Sequence, residues 1–345
     1  MMTSRVAEAP FARHKLWRIL LTVLLLPLLL GVNYCEHKLI APTSLPAIAT
    51  VPANILLSQI NGQAKEETLQ ARITLDFEDF STASKGIKRT IPTVNGLLVL
   101  KRPKNIRLVV EAPILSIKVA DMVSDGQTFK VALLYPTSSK KFLIGSNDHP
   151  YGRVEGSSNS KDPDVQRAGA LANIRPQHLT DAVLMQPAEV DADSLYFIEQ
   201  SKEVEPDPDI THKRGSQVER PYYVVSLLEK DSDGAAHITR RVWFDRSDAA
   251  APLTRVQFFE NGEAVTDVTY SEFFESAGHR LPKKIFIRRP KDRYAVTITI
   301  KQESVQVNNE IPPTAFVLNN DDGLPEINLD TQIKTGPLPK KPNRK

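Results

Sequence analysis

The sequence lacks most of the residues and motifs that usually carry chemistry. It has one cysteine among 345 residues, so no disulfide can form within the chain. Its seven histidines are scattered, and none has a partner at the spacing of metal ligands. Patterns typical of zinc, nucleotide and covalent-nucleophile sites, such as HExxH, GxGxxG and GxSxG, are missing. We therefore predict that the protein is not an enzyme and has no metal or cofactor site.

An excess of charge of one sign is also lacking. The 44 basic and 41 acidic residues are well mixed and leave a formal net charge of +3. Nucleic-acid binding needs a concentrated basic face, so we predict no nucleic-acid partner. The 41% of hydrophobic residues is enough for a large core, and the length allows one large domain or two ordinary ones.

A long apolar run is present only near the N-terminus. Arg13, Lys15 and Arg18 precede the uncharged run 19–32. This run is long enough for the apolar part of a signal peptide but short for a membrane span of about twenty residues. We interpret residues 1–35 as a signal peptide or membrane anchor, which places the rest of the chain in the cell envelope, facing the periplasm.

The single cysteine, Cys35, lies three residues beyond this run. Lipoproteins carry their acylated cysteine at such a position, which makes Cys35 a candidate lipidation site and the protein a candidate outer-membrane lipoprotein. The preceding Asn33 and Tyr34 fit poorly, because the peptidase usually meets a small residue there. An uncleaved anchor and ordinary cleavage, for example after "AIA" at 47–49, are the alternatives.

The remaining chain has the pattern of one domain rich in strands. A Pro-rich linker, 36–53, precedes an amphipathic helix predicted from Asn54 to about Gln70. Period-two alternation then recurs as far as about residue 300, with turn signals such as "SDG" and "ENG". We predict polar loops at 146–165 and 201–220 and a second, short helix around Leu179–Leu184. The tail 321–345 is predicted to be disordered.

These elements predict an α+β fold for residues 54–320. Roughly nine to twelve antiparallel strands would form one large sheet, and its apolar face must be covered. A strongly curved sheet, a half-barrel wrapped around the covering helices, would use every element and leave a cavity between sheet and helices.

Several motifs in this region resemble the LolA/LolB-like family of outer-membrane lipoprotein carriers. The stretch 94–136 contains "KRP" at 101–103, "VSDG" at 123–126 and a strand ending at Tyr135 and Pro136, in the order found in that family. The later segments "VWFDRSDAAAPLTRVQFFENGEAVTDVTYSEF", "LPKKIFI" and "VNNEIPPTAFVL" are also similar. The similar parts cover most of residues 54–318.

The resemblance implies a lipid-binding domain with an apolar interior and a closing lid. The acyl chains of a lipoprotein or lipid would lie against inward residues of two strands, Ile73, Leu75, Phe77, Ile106, Leu108 and Val110. Arg102 matches the family's arginine that hydrogen-bonds to the lid in the closed form, and an exposed arginine beside Pro103 is the alternative interpretation. Ile106 and Leu108 stand where the family has aromatic residues associated with unidirectional handover.

The predicted function is therefore reversible hydrophobic binding without catalysis. The protein would be a carrier or acceptor in lipoprotein sorting to the outer membrane, with an export transporter or an outer-membrane acceptor as candidate partners. The alternative is a periplasmic lipid-sensing regulatory module like RseB, which shares the fold and reports by binding a partner protein.

Overall fold

The computed structural model describes residues 41–80, 89–112, 117–149, 163–188, 194–207, 211 and 215–331. The predicted signal segment and Cys35 lie outside the described residues. The chain divides into two compact units. The first comprises Met1–Thr43 and Pro206–Gln217, where the Asp207 amide donates to the Ser216 carbonyl at 3.0 Å. The second, Ser44–Glu205 with Val218–Lys345, contains the sheet core and the helices.

The described residues contain three α-helices, one more than the sequence patterns predict. Helix α1 (Ala53–Gln63) buries Leu56 and Ile60 one turn apart, and it ends earlier than predicted because strand β2 begins at Thr68. Helix α3 (Pro176–Val183) confirms the predicted short helix and has proline in its first turn. Helix α2 (Pro163–Asn173) was not predicted, because its buried stripe is built largely from alanine.

The strands are more numerous than predicted. In the described part of the chain, sixteen strands form a single sheet. They are β1 (Thr43–Ser44), β2 (Thr68–Asp79), β3 (Arg89–Lys101), β4 (Asn105–Glu111), β5 (Lys118–Ser124), β6 (Thr128–Leu133), β7 (Lys141–Ser146), β8 (Ser194–Pro206), β9 (Gln217–Lys230), β10 (Ala236–Asp245), β11 (Leu253–Glu260), β12 (Glu263–Ser276), β13 (His279–Arg289), β14 (Tyr294–Ile300), β15 (Gln306–Val307) and β16 (Glu326–Asn328).

The sheet is mixed rather than purely antiparallel, because β16 pairs parallel with β7. The pairing order is β1-β9-β10-β11-β12-β13-β14-β2-β3-β4-β5-β6-β7-β16, with β15 on β2 and β8 on β9. The return of the chain therefore places β14 against β2 in the middle of the sheet, where Ile298 is opposite Leu75. The predicted number was too low because very short strands, and polar strands such as β8, lack the alternation of apolar residues by which a strand is recognised in a sequence.

One face of the sheet carries the main core, and we call it the inner face. Its side chains pack with α1, α2 and α3, which contribute Leu56, Ile60, Leu171 and Leu179 to the same apolar cluster. Alternating residues of β2, β4, β10 and β13 belong to this cluster, as period-two patterning requires. The inner face is thus covered by helices, in agreement with the predicted layering.

The opposite, outer face carries two smaller clusters. Val123, Ala132, Phe142 and Leu318 form one, in which the C-terminal segment covers strands β5–β7. Residues 321–331 of the predicted disordered tail are ordered: β16 pairs with β7, and Leu329 is buried in the main cluster of the inner face. That correction has a physical reason: Ile327 and Leu329 supply apolar surface that the proline- and lysine-rich residues after them lack.

Within the described ranges, no helix is long and apolar enough to cross a membrane.

Candidate functional site

The six residues predicted to line a lipid cavity all lie on the inner face. Their side chains are between 0% and 3% exposed, and they belong to the main apolar cluster beneath the helices: Ile73, Leu75 and Phe77 on β2, and Ile106, Leu108 and Val110 on β4. Protein side chains therefore fill the space above them in this structure. Their contact with lipid stays a prediction.

A short extended stretch follows α3, and we call residues 184–188 the cover segment. Leu184, Met185 and Ala188 are buried in the main cluster. The carbonyls of its last four residues each accept a hydrogen bond from a side chain of another element, and three side chains supply them all: Arg102, Arg240 and Asn61. The cover segment is thus held to the sheet by its backbone.

Arg102, the predicted latch, lies at the turn after β3. Its Nη2 donates to the Met185 carbonyl at 2.8 Å, and its Nε donates to the Glu66 carbonyl at 2.7 Å. One guanidinium therefore joins the cover segment to the loop after α1. Burial lowers the pKa of Arg102, although Glu66 and Glu67 act in the other direction. The contacts fit a latch, while its release on ligand binding stays a prediction.

Arg240 is a second arginine on the same segment, and the sequence patterns did not single it out. Nη1 donates to the Gln186 carbonyl at 2.6 Å and Nη2 to the Pro187 carbonyl at 2.8 Å. Its side chain is 7% exposed, and burial lowers its pKa to about 10, so it remains a cation at neutral pH. The alternation of Arg240 with buried Val242 and Phe244 in β10 was the available signal.

Asn61 of α1 completes the anchoring of the segment. The Ala188 amide donates to Asn61 Oδ1 at 2.7 Å, and Asn61 Nδ2 donates to the Ala188 carbonyl at 3.4 Å. This reciprocal pair ties the end of the cover segment to the first helix. Opening the segment would break it together with the arginine contacts.

Helix α3 is itself fixed to β12 and β14 by phenol groups. The Tyr270 hydroxyl donates to the Ala182 carbonyl at 2.8 Å, and burial raises the pKa of that phenol. His178 Nδ1 lies 2.8 Å from the Tyr294 hydroxyl. Burial also lowers the pKa of His178 well below its ordinary value, so this imidazole is neutral at pH 7. These contacts orient the helix without any ion pair.

The described residues line several surface cavities near the helices, among them the following three. The one at the cover segment, which we call the Arg240 cavity, has a volume of about 310 Å³ and includes Gln186, Leu195 and Phe258 in its lining. A second, of about 360 Å³, lies at the end of α1 beside the pair Glu66–His279. The third, of about 550 Å³, is polar and includes Arg175 and Asp181.

No group of three or more metal-ligating side chains of the kind that could hold an ion occurs in the described part of the chain.

Comparison with known proteins finds matches among solved structures alone. No family model and no curated protein matches the chain. A LolA superfamily protein from Nitrosomonas europaea aligns with 12% identity and a TM-score of 0.40, over 78% of this chain and 99% of that one. A domain described as an outer membrane lipoprotein-sorting protein, from Vibrio parahaemolyticus, aligns with 10% identity and a TM-score of 0.39, over 76% and 95%.

A third match is a DUF1329 family protein from Desulfovibrio piger, with 12% identity, a TM-score of 0.42, and coverage of 80% of this chain and 100% of that one. These matches say what the chain is similar to.

Proposed function

We propose that the protein is a carrier or acceptor for lipid acyl chains in the cell envelope, and that this structure is its closed form. Acyl chains would enter between the inner face of the sheet and the cover segment. Ile73, Leu75, Phe77, Ile106, Leu108 and Val110 would then contact lipid instead of the helices and the cover segment.

The observation that carries the proposal is the way the apolar inner face is closed. A permanent core has no need for cations, yet two arginines reach the edge of this one and bind the backbone of a single five-residue segment. Carbonyls are neutral partners, so separating them from the guanidinium does not leave an unpaired buried anion. Such a closure can be reversed at a lower cost than a buried ion pair.

The energetics favour ligand binding once the segment moves. Each methylene removed from water contributes about 0.8 kcal/mol, so a chain of a dozen carbons gains roughly 10 kcal/mol before entropy costs. Breaking the contacts of Arg102 costs about 1.5–3 kcal/mol per charged hydrogen bond. Hydrophobic gain can therefore exceed the cost of opening without any chemical step, in line with a protein that is not an enzyme.

The test is lipid content and lipid uptake. We expect mass spectrometry of an organic extract of the purified protein to find acyl lipids, and we expect a neutral fluorescent probe, N-phenyl-1-naphthylamine, to bind the delipidated protein. A triacylated lipopeptide should displace the probe, whereas the same peptide without acyl chains should not. Absence of both co-purified lipid and probe uptake in folded protein would refute the carrier.

Location and partners follow from the same proposal. The segment 1–35 would deliver the chain to the envelope, and Cys35, if acylated, would anchor it in a membrane. An export transporter would then deliver the lipid and an outer-membrane acceptor would receive it. The RseB-like alternative predicts instead that bound lipid changes the affinity for a partner protein and is not handed on.

A further inference from the structure

The Arg240 cavity combines an apolar wall with polar donors at one end. Leu195, Leu227, Leu228 and Phe258 supply the apolar wall, and Arg240 and Gln186 lie in the same lining. At about 310 Å³ it is at the lower end of the range of ligand sites, roughly 300–1,000 Å³. A volume of this size suits a single alkyl chain or part of one.

Arg240 and Gln186 have more N–H donors at this cavity than hydrogen bonds to acceptors of the described residues. A guanidinium has five N–H groups. Arg240 places one of its N–H groups on each of two carbonyls. Gln186 Nε2 is buried and has no hydrogen-bond partner among the described residues. Because a buried donor without an acceptor is unfavourable, a ligand with acceptor oxygens would gain by meeting both groups.

The charge of Arg240 is not neutralised by contact. No carboxylate in the described ranges forms an ion pair with it, whereas Arg220 and Arg255 on the outer face each bind two. Glu229 is the one acid in the lining, and its side chain is exposed at the solvent side, where water screens it. Asp181 of α3 also acts on Arg240 through space, although the two form no ion pair, and burial raises the pKa of that carboxyl. The Arg240 guanidinium therefore lies at the buried end of the cavity with no contacting anion among the described residues.

We propose that the Arg240 cavity binds a single-chain amphiphile with an anionic head group, whose oxygens accept from Arg240 and Gln186 while its first methylenes lie along Leu195, Leu227 and Phe258. The proposal rests on the proposed function, since it names the class of lipid that the carrier takes at this end. A carboxylate and a phosphate monoester share the required chemistry.

Calorimetric titration of the full-length delipidated protein, below the micelle concentration, tests this selectivity. The probes are dodecanoate, dodecyl phosphate, dodecanol and dodecyltrimethylammonium. Because a carboxylate forms a stronger, charge-assisted hydrogen bond with a guanidinium than a hydroxyl does, we expect dodecanoate to bind about tenfold more tightly than dodecanol. The cationic amphiphile should bind more weakly than either. Comparable binding of the two anions indicates shared recognition, and a preference for one identifies its source as fatty acid or phosphorylated lipid.

Variants locate the effect. Arg240→Gln should bring the ratio of dodecanoate to dodecanol affinity close to one, at a folded fraction checked by circular dichroism. Arg241→Gln is the matched control, because Arg241 is the next residue of β10 and contacts Ser226 and Phe259 instead. It should keep the wild-type ratio. Gln186→Leu removes a donor that has no partner, so it should fold normally and lower the ratio severalfold.

The outcomes separate this inference from the carrier function. Equal binding of dodecanoate and dodecanol by wild-type protein overturns the inference while leaving the carrier intact if the neutral probe still binds. An unchanged ratio of dodecanoate to dodecanol affinity in folded Arg240→Gln also overturns the inference and leaves the carrier function standing. If Arg240→Gln fails to fold, the ratio in Gln186→Leu decides. Binding of none of the probes, neutral or charged, refutes the carrier itself.

Discussion

Arginines on the two faces of this sheet have different partners. On the inner side, Arg102 and Arg240 bind backbone carbonyls of the cover segment, and burial lowers the pKa of both. On the outer face, Arg255 binds Asp267 at 2.6 Å and Glu203 at 3.1 Å, and its hydrogen bond with Asp267 raises its pKa. Arginine thus binds carboxylates of neighbouring strands on the outer face and backbone carbonyls of the cover segment on the inner side.

The outer-face pairs link strand β8 to the sheet. Glu203 accepts from Trp243 Nε1 at 2.6 Å, and Glu205 binds both Arg220 and Tyr222. Arg220 also binds Asp245 at 2.6 Å, where the carboxylate is nearly buried. Since Arg220 and Asp245 are both charged and largely buried, losing one leaves the other in a desolvated place without its closest buried counter-charge. Charged pairs of this kind are suited to a lasting contact between strands. The neutral carbonyl partners on the inner side are better suited to a contact that can be broken, as the proposed function requires.

The largest expected effect comes from breaking an outer-face pair. Asp245→Ala removes the buried partner of Arg220 and should lower the free energy of unfolding by about 3 kcal/mol. Urea denaturation followed by circular dichroism measures it. Lys202→Ala is the control, because the Lys202–Glu219 pair is exposed and its loss should not be measurable. Equal stability of both variants would contradict the structural role of the outer network.

A smaller effect is expected from the inner face, and it should concern binding more than stability. Arg102→Leu removes the contacts with the Glu66 and Met185 carbonyls, which favour the closed form. We expect the affinity for N-phenyl-1-naphthylamine to rise about tenfold. The probe binds the open form, and in the variant that form is reached without breaking the two hydrogen bonds of Arg102.

The matched control for Arg102 is Arg107→Leu on β4. Arg107 binds Asp121 at 2.8 Å, and that hydrogen bond raises its pKa. Its loss should reduce stability and leave probe affinity unchanged. If folded Arg102→Leu binds the probe no better than wild type, Arg102 is not a latch, and the comparison between the two faces loses its functional meaning.

The smallest expected effect concerns a carboxyl group on α3. Burial raises the pKa of Asp181, against the influence of Lys104, Gln177, Arg289 and Arg240. A group whose pKa is higher in the folded state stabilises the fold below its unfolded pKa, and this contribution is lost as pH rises through the folded pKa. Asp181→Asn should therefore be slightly more stable than wild type at pH 7.

The difference should disappear below about pH 4, where the carboxyl is protonated in both states. Thermal unfolding at pH 7 and pH 3.5 measures it. Glu219→Gln provides the opposite case, because the hydrogen bond from Lys202 lowers the pKa of Glu219 and its carboxylate form is preferred. A stability gain for Asp181→Asn that persists unchanged at low pH would show that burial of the charge is not its cause.

The pattern of the sequence was sufficient for part of the site. Alternation placed Ile73, Leu75 and Phe77 on one buried face, and the family motif singled out Arg102. Apolar residues alternate in the same way around Arg240. A charged residue at an inward-facing position, however, is usually taken to break the pattern of a buried strand face. The role of Arg240 needed the position of the cover segment, which lies 54 residues earlier in the chain.

Strand β8 shows the other limit of sequence patterns. Residues 201–206 were predicted to belong to an exposed loop, because charged residues alternate there with few apolar ones. The strand forms because Glu203 and Glu205 find arginine, tryptophan and tyrosine partners on β9, β10 and β11. Pairing of this kind has no local signature, since each partner is ordinary in its own stretch of sequence.

The sequence by itself determined the strand-rich class, the buried inner face, the helices with strong apolar spacing and the absence of common catalytic motifs. Those features depend on whether residues two to four positions apart are apolar or polar, and this spacing can be read directly from the sequence. Only the tertiary structure decided that β14 closes on β2 and that residues 185–188 lie under two arginines. Such contacts join distant residues through backbone carbonyls, and a carbonyl is the same in every residue, so the identity of the side chains does not reveal which one an arginine will bind.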